Sequence, residues 1–175
     1  MIPQRLNTYL FIIGAALSFA TVNTAYAKSF QSKPKGKVHA ALRITSLEGL
    51  QFGTIAPHTT LADTVVVDAS SDDSSTCGTQ VTCLESGDRA RFRITGRANM
   101  PINVTVTPSI TLTNGTGGSM VADNFVLHAA GFGNGSGFIQ GSGSIEVGVG
   151  ATLNIGANQA VGAYTGTFTI TASYQ

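Results

Sequence analysis

The side chains best suited to catalysis are scattered along this chain of 175 residues. Its three histidines, His39, His58 and His128, each stand alone in the sequence. Serine is frequent, but no G-x-S-x-G motif presents one as a nucleophile. Asp72 and Asp73 lack the alternating oxygen ligands of a calcium loop, and the other acids form no evident acid/base pair. We therefore expect no catalytic residue, no metal and no cofactor, and a protein that is not an enzyme.

A glycine-rich stretch at residues 131–143 is the only segment that resembles a phosphate-binding loop in composition. It contains neither the P-loop motif nor a strand-bounded G-x-G-x-x-G, and no helical pattern follows it. We interpret it as a mobile loop or as a glycine-bearing strand that another backbone approaches closely.

Four arginines form the clearest charged pattern. Arg89, Arg91 and Arg93 alternate along one predicted strand, and Arg97 follows just beyond. Guanidinium groups pair bidentately with planar anions, so this stripe could bind an anionic glycan or a carboxylate-bearing partner. The alternative is an outward face whose charge is balanced by acids near in sequence, namely Asp68, Glu85 and Asp88.

The composition separates a basic segment from an acidic body. Only 11% of the residues are charged, against about 25% in an average soluble domain. Residues 28–43 carry five basic side chains and no acid, whereas the rest of the chain after residue 43 has four arginines and nine acids. The net charge of +1 and the acidic body argue against a nucleic-acid partner. A basic arm over residues 28–37 could instead dock on the acidic body of a neighbouring copy.

Residues 1–27 have the organisation of a secretory signal peptide. Arg5 precedes an apolar run at residues 10–20, and Ala25-Tyr26-Ala27 forms a small-residue cleavage site before Lys28. The run is shorter than the roughly 20 residues that a membrane-spanning helix needs. We expect an exported protein with no transmembrane anchor after cleavage.

Export determines how the two cysteines are interpreted, because disulfides persist in oxidising compartments. Cys77 and Cys83 are separated by five residues that include Gly78, so the bond would close a hairpin or loop tip. A redox or zinc pair of the C-x-x-C type does not fit this spacing. We predict a local structural disulfide.

Alternation with period two dominates residues 38–175. Apolar side chains recur at every second position in several segments, first at Val38, Ala40, Leu42 and Ile44. Turn residues interrupt these segments every 8–12 residues or so, a spacing typical of sandwiches and small barrels. The pattern predicts an all-β domain over residues 38–175.

The C-terminal segment has the longest alternation. Its even-numbered residues are predicted to face inward, and its length suggests a strand in the centre of a sheet, with two glycines leaving room for a neighbour. These residues are Gly162, Tyr164, Gly166, Phe168, Ile170, Ala172 and Tyr174.

Two family resemblances rest on these segments. The C-terminal alternation with its penultimate Tyr174, together with Leu50-Gln51-Phe52-Gly53-Thr54-Ile55, resembles the closing and early strands of bacterial chaperone-usher pilin subunits. Residues 40–175 also resemble an uncharacterised family of secreted bacterial all-β domains, through the same L-x-F-G-x-I segment and Tyr164-Thr165-Gly166-Thr167-Phe168. The second family is a domain of unknown function and implies no activity.

The pilin resemblance implies an immunoglobulin-like antiparallel β-sandwich that lacks one strand. A periplasmic chaperone, and then the N-terminal arm of the next subunit, would supply that strand by β-augmentation. Two features depart from the pilin pattern: the cysteines are close together, and residues 28–37 offer only Phe30 as a large apolar side chain. Either Val38–Ile44 serves as the donor strand, or the domain completes its own sandwich.

We therefore expect an exported structural subunit of a fimbrial or other cell-surface assembly. Its partners would be copies of itself or related subunits, with a periplasmic chaperone and an outer-membrane usher implied by the resemblance. It would pass through the periplasm to the cell surface, or be secreted. The alternative function is a self-contained secreted module that binds a host or surface glycan through the arginine stripe.

Overall fold

The structure, a computed structural model, describes residues 33–133 and 135–175. The predicted signal peptide and the first five residues of the basic arm, 28–32, lie outside the described residues.

Twelve β-strands and no helix form within the described residues, and every strand pair is antiparallel. This confirms the all-β prediction. In chain order the strands are β1 (Arg43–Glu48), β2 (Ile55–Ala56), β3 (Asp63–Val67), β4 (Ser75–Cys77), β5 (Thr82–Cys83), β6 (Ala90–Thr95), β7 (Pro101–Val106), β8 (Ser109–Thr113), β9 (Ser119–His128), β10 (Ser136–Phe138), β11 (Ser144–Ile155) and β12 (Ile170–Tyr174).

The main sheet is organised around β11, the longest strand. The first half of β11 pairs with β6 and its second half with β3, while β9 pairs with both halves. The main path of the sheet is β1-β6-β11-β3-β4. Strand β9 joins this path through β11, and β8 pairs with β9. Gly148 and Gly150 lie where the chain that leaves β3 crosses β11. A Cβ at Gly148 would overlap the Ala69 carbonyl oxygen, and a Cβ at Gly150 would overlap that of Val67.

A second, three-stranded sheet with the order β10-β7-β12 faces the main sheet, and β2 and β5 form a separate pair. The sheets enclose apolar side chains, so the fold is a β-sandwich. One buried cluster includes Ile94, Ile102 and Val147, and a second includes Val65, Leu112 and Leu153. The alternation read from the sequence places these residues on the inner faces.

The C-terminal strand differs from its prediction in length and position. Only Ile170–Tyr174 is a strand, and it lies at the edge of its sheet. Earlier in the segment, Thr165 makes a single bridge to Thr113 of β8. Since β7 and β8 belong to different sheets, a segment that follows both does not keep one continuous ladder. The prediction of a long central strand is therefore wrong.

Candidate strand-binding cleft

A cleft of about 580 Å³, lined by both polar and apolar side chains, opens over the second buried cluster. One wall is the segment 50–55, which precedes β2, and the other is the segment 159–164, which precedes the C-terminal strand. Its floor is formed by side chains of β8, β9 and β11, namely Leu112, Met120, Leu153 and Ile155. We call this feature the open cleft.

The first wall is held by the chain that follows the disulfide. Gln51 and Asp88 exchange two backbone hydrogen bonds of 2.8 Å, and the Leu84 amide donates to the Thr54 carbonyl at 2.8 Å. Gly53 has φ of 78°, and a Cβ there would overlap the backbone of Glu85. The glycine of the L-x-F-G-x-I segment is thus required by backbone conformation and by close approach.

The second wall is fixed by a tyrosine hydroxyl. Tyr164 donates to the Ala160 carbonyl at 2.6 Å and accepts from the Gln159 amide at 2.8 Å. Gln159 also donates to the Ser119 carbonyl at 3.1 Å, which ties this wall to β9. Val161, 90% exposed, lines the cleft opening.

The outer edge of β12 has unpaired backbone groups. Thr107 donates to the Thr169 carbonyl and Gln175 donates to the Pro101 carbonyl, so odd-numbered residues of the terminal segment direct their backbone groups toward β7. In an antiparallel pair, the alternate residues direct theirs the opposite way. Within the described residues no strand pairs with that side of β12. The N–H and C=O groups of Ile170, Ala172 and Tyr174 are therefore available to an added strand.

The aromatic side chains beside this edge are incompletely covered. Phe168 packs against Phe92, with ring centroids 5.9 Å apart, and against Phe125 at 5.3 Å. All three rings are only half-buried. The fully buried hydrophobic residues of the described chain are Val, Ile, Leu and Ala, with no aromatic among them. These three rings are thus partly exposed, unlike the aliphatic side chains of the core.

The structure divides the predicted donor segment into two parts. Val38 is 99% exposed and Ala40 is exposed, whereas Leu42 and Ile44 pack against the first buried cluster of their own domain. The Tyr174 hydroxyl donates to the Ala40 carbonyl at 2.9 Å. A donor strand that includes all of Val38–Ile44 would have to leave this core, so the part free to pair elsewhere ends before Ala40.

The space beside each of the two predicted glycines is filled by the protein's own chain. Gly166 lies against Ile110 and Leu112, so the space beside it is filled by the protein's own β8. Gly162 lies against the side chain of Asn114. The alternation of the segment is confirmed at its aromatic positions: Tyr164 packs against the second cluster, and Tyr174 against the first.

Cys77 and Cys83 form a disulfide, with their Cα atoms 6.2 Å apart. Both cysteines pack against the second buried cluster. Inside the ring that the bond closes, Gly78 donates its amide to the Thr64 carbonyl at 2.9 Å. The ring is thus attached to β3 and forms part of the core beneath the open cleft.

The arginine stripe is a row of ion pairs. Arg89 bonds Asp72 at 2.6 Å, and its guanidinium also donates to the Ala69 carbonyl at 2.9 Å. Arg93 bonds Glu146 of β11 at 2.5 Å, and Arg91 pairs with Glu48 of β1 through both carboxylate oxygens. The partners are Glu48, Asp72 and Glu146, so the expectation of Asp68, Glu85 and Asp88 is wrong.

The remaining arginine lies apart from this row. Arg97 contacts the Nδ1 atom of His39 at 2.6 Å, and its amide donates to the Tyr174 hydroxyl at 2.8 Å. The structure therefore does not bring the four arginines together as one free anion-binding surface. Glycan binding through the stripe stays a prediction, and its guanidinium groups at Arg89, Arg91 and Arg93 already bond carboxylates.

These interactions lower the pKa of several carboxyl groups. The hydrogen bond from Arg91 lowers the pKa of Glu48, and the hydrogen bond from Arg89 lowers that of Asp72. Hydrogen bonds from the backbone amides of Gln80 and Thr64 lower the pKa of Asp63. In each case the hydrogen bond favours the charged form of the acid.

The histidines have separate surroundings. His58 accepts hydrogen bonds from the amides of Thr60 and Leu61, both at 3.2 Å, and so shapes a turn. His128 ends β9, whereas His39 contacts Arg97. Across residues 33–133 and 135–175 no group of three His, Cys, Asp or Glu side chains is arranged to hold a metal ion. The same residues include no helix that could span a membrane.

Fold and cleft together define a β-sandwich domain with an open edge. A family model described as Domain of unknown function (DUF4402) matches residues 42–174, and the chain belongs to this family. No curated protein and no solved structure matches the chain.

Proposed function

We propose that this protein is an exported, non-enzymatic structural subunit of a fimbrial or other cell-surface assembly, in which copies associate by β-strand addition. The observation that carries the proposal is the unpaired outer edge of β12 beside half-buried aromatic side chains. An extended segment at this edge would pair with the backbone groups and cover the apolar rings at the same time. An open edge without such an occupant favours aggregation, so an assembly that fills it removes that hazard.

The occupant that we propose is the N-terminal segment of a second copy, residues 28–39. In an extended conformation, the even-numbered positions between residues 30 and 38 carry Phe30, Ser32, Pro34, Gly36 and Val38, while the odd-numbered positions of the same stretch include Lys33, Lys35 and Lys37. Over residues 30–38, one face is therefore apolar or small and the other is basic. The described part of this segment, residues 33–39, is exposed throughout.

The proposal is tested by comparing two exported forms of the protein, one with residues 28–175 and one with residues 39–175. We expect the longer form to associate with rising concentration in analytical ultracentrifugation and the shorter form to stay monomeric. Both should have the same thermal midpoint, because the described part of the removed segment, residues 33–38, is exposed. Monomers of both forms at all concentrations would contradict the proposal.

A peptide of residues 28–41 added to the shorter form locates the binding site. Hydrogen exchange should slow at the amides of Ile170, Ala172 and Tyr174, which face the open edge. It should not change at Thr171 and Ser173, whose amides already face β7.

The matched control is a peptide of the same composition in which Lys37 and Val38 are exchanged, which moves a charge onto the apolar face. We expect this control peptide to bind at least tenfold more weakly. Equal protection of odd- and even-numbered amides would mean that the peptide does not add a strand.

A further inference from the structure

The N-terminal segment, residues 28–39, is attached to its own domain only at its last residue, as far as the structure describes it. Of residues 33–38, none forms a hydrogen bond or an ion pair with the described domain. Val38 is 99% exposed, and no atom lies within 4 Å of a Cβ at Gly36. The first side chain that bonds the domain is that of His39, and the first backbone group is the Ala40 carbonyl. The direction of the segment therefore depends on these two neighbouring residues.

The hydrogen bond between His39 and Arg97 requires an uncharged imidazole. Nη1 of Arg97 lies 2.6 Å from Nδ1 of His39, and the His39 and Tyr174 ring centroids are 6.3 Å apart. A guanidinium group donates hydrogen bonds and accepts none, so Nδ1 of His39 must be the acceptor. The single proton of the neutral ring is therefore on Nε2.

No negatively charged group faces His39 in the described chain. Arg97, in the turn after β6, and the Tyr174 ring of β12 lie against it, while its own segment continues with the cations Lys37 and Arg43 on either side. None of the ion pairs of the described residues includes His39. A proton on Nδ1 would remove the lone pair that accepts from Arg97 and would place two positive charges side by side. The bond is therefore formed with the neutral ring and lost with the protonated one.

We infer that His39 and Arg97 form a pH-sensitive latch, which fixes the direction in which the N-terminal segment leaves the domain. With the ring neutral, two adjacent attachments hold the base of the segment, one at the His39 side chain and one at the Ala40 carbonyl. Histidine changes its charge between about pH 5 and 8, so acidification removes the first attachment and leaves the second. The segment then rotates about a single point. Both side chains of the latch are exposed, so its opening should change the stability of the domain little.

The consequence for assembly rests on the proposed function, in which the N-terminal segment of one copy adds to β12 of the next. A segment whose direction is fixed loses less conformational entropy on binding than one that rotates freely. We therefore expect the association of copies to weaken as the latch opens in acid.

The first test observes the latch in the monomer and needs no partner. It uses the form with residues 28–175, at a concentration where it does not associate. Nitrogen NMR of the His39 ring should show the tautomer with its proton on Nε2 at pH 8. The order parameter of the His39 Cα–Hα bond, from carbon relaxation, should fall by at least a third between pH 8 and pH 5. An unchanged order parameter would overturn the inference, whether or not copies associate.

Two variants assign the response to the latch. In His39→Asn an uncharged side chain can still accept from Arg97, so the segment should stay fixed at both pH values. Arg97→Ala removes the donor, so the segment should be mobile at both. The matched control is His58→Asn/His128→Asn, which changes the other two histidines and should respond to pH like the wild type. A response of the wild-type size in His39→Asn, or its loss in the control, would overturn the inference.

The second test measures the association of the same form by analytical ultracentrifugation at pH 8 and pH 5. We expect at least threefold weaker association of the wild type at pH 5, and a change of less than twofold in His39→Asn. Equal association of the wild type at the two pH values would overturn the link between latch and assembly. If the wild type stays monomeric at both pH values while its order parameter falls in acid, the proposed function fails but the latch is supported.

Discussion

Single glycines in β11 show how closely two backbones approach in this fold. The chain leaves β3 and crosses the outer face of β11 directly above Gly148 and Gly150. A side chain at either position would meet backbone atoms, which cannot turn away as a flexible side chain can. Valine at Val147 and Val149 alternates with these glycines and points into the core. The strand is therefore packed tightly on both faces.

Replacing Gly150 with alanine tests this packing. We expect Gly150→Ala to lower the free energy of unfolding by about 1–3 kcal/mol, the usual cost of forcing extra atoms into a packed site. Urea denaturation of the two proteins measures the loss. The matched control is Gly141→Ala, because no atom lies within 4 Å of a Cβ at that position. A loss of the same size in the control would contradict the explanation.

The Tyr174 hydroxyl joins three parts of the chain. It donates to the Ala40 carbonyl and accepts from the Arg97 amide, so it connects the C-terminal strand to the N-terminal segment and to the turn after β6. We expect Tyr174→Phe to cost about 1 kcal/mol, the net value of a typical hydrogen bond. Thermal unfolding measures this cost. Ser173→Ala, a change at an exposed neighbour, should leave stability unchanged, and equal stability of Tyr174→Phe would contradict the role of the hydroxyl.

Among the elements, β12 combines a paired edge with an unpaired one. Its odd-numbered amides bond β7, and its even-numbered amides face outward. Each edge therefore has a separate role, one in stability and one in the proposed assembly. The two roles can be separated by choosing which amide to remove.

Proline at an odd-numbered position of β12 removes a bond to β7. We expect Thr171→Pro to lower the free energy of unfolding by at least about 1–2 kcal/mol, because the paired carbonyl of Thr105 loses its donor. Thr167→Pro lies before the strand, where no backbone hydrogen bond of residue 167 is formed within the described chain, and should cost less. Chemical denaturation distinguishes the two. A greater loss in Thr167→Pro would contradict the assigned pairing.

Sequence patterns predicted the presence of β-strands, but not which strands pair with each other or which side chains form ion pairs. The alternation of Phe168, Ile170 and Ala172 correctly indicated a strand with one inner face, but it has the same form in a central strand and an edge strand. The order of strands in a sheet depends on long-range pairing, which a single sequence does not specify. The arginines show the same limit: Arg91 bonds Glu48, 43 residues away, and Arg93 bonds Glu146, 53 residues away. Acids near in sequence were the wrong partners for this reason.

The open cleft was predicted only in its parts. The segments 50–55 and 164–168 stand out as motifs, yet nothing in the sequence indicates that residues 50–55 and 159–164 face each other across a gap. A signal was present in Tyr164, Phe168 and Tyr174, the three aromatic residues that alternate with small or polar residues along the C-terminal segment. How far other side chains cover an aromatic ring depends on the packing of the two sheets, which only the structure shows.

For the molecule as a whole, acidic pH should weaken the fold. The pKa values of Glu48, Asp63, Asp68 and Asp72 are lowered in the folded chain by hydrogen bonds to Arg91, the Gln80 amide, Ser70 and Arg89. In the unfolded chain these acids return to ordinary values near 4, so the unfolded state binds more protons as the pH falls. The stability that they contribute is complete above the unfolded pKa and is lost below it.

We therefore expect the urea midpoint to be nearly constant between pH 7 and pH 5 and to fall below about pH 4. The double variant Glu48→Gln/Asp72→Asn should be less stable at pH 7 but should lose less on acidification. A midpoint that falls mainly between pH 7 and pH 6 would show that other groups control the acid response.

The open edge of β12 and the N-terminal arm are different surfaces of one protein. Any assembly in which the arm of one copy binds the edge of the next therefore has a direction. Contacts of this kind join unlike surfaces, so they propagate in a line unless the rotation between copies closes a ring. Such a filament would have one terminus with an unused arm and one with an unused edge. Growth at the terminus with the unused edge would stop when a strand without a domain of its own occupied that edge. A free peptide of the arm would be such a strand. The average filament length should therefore fall as the concentration of this peptide rises.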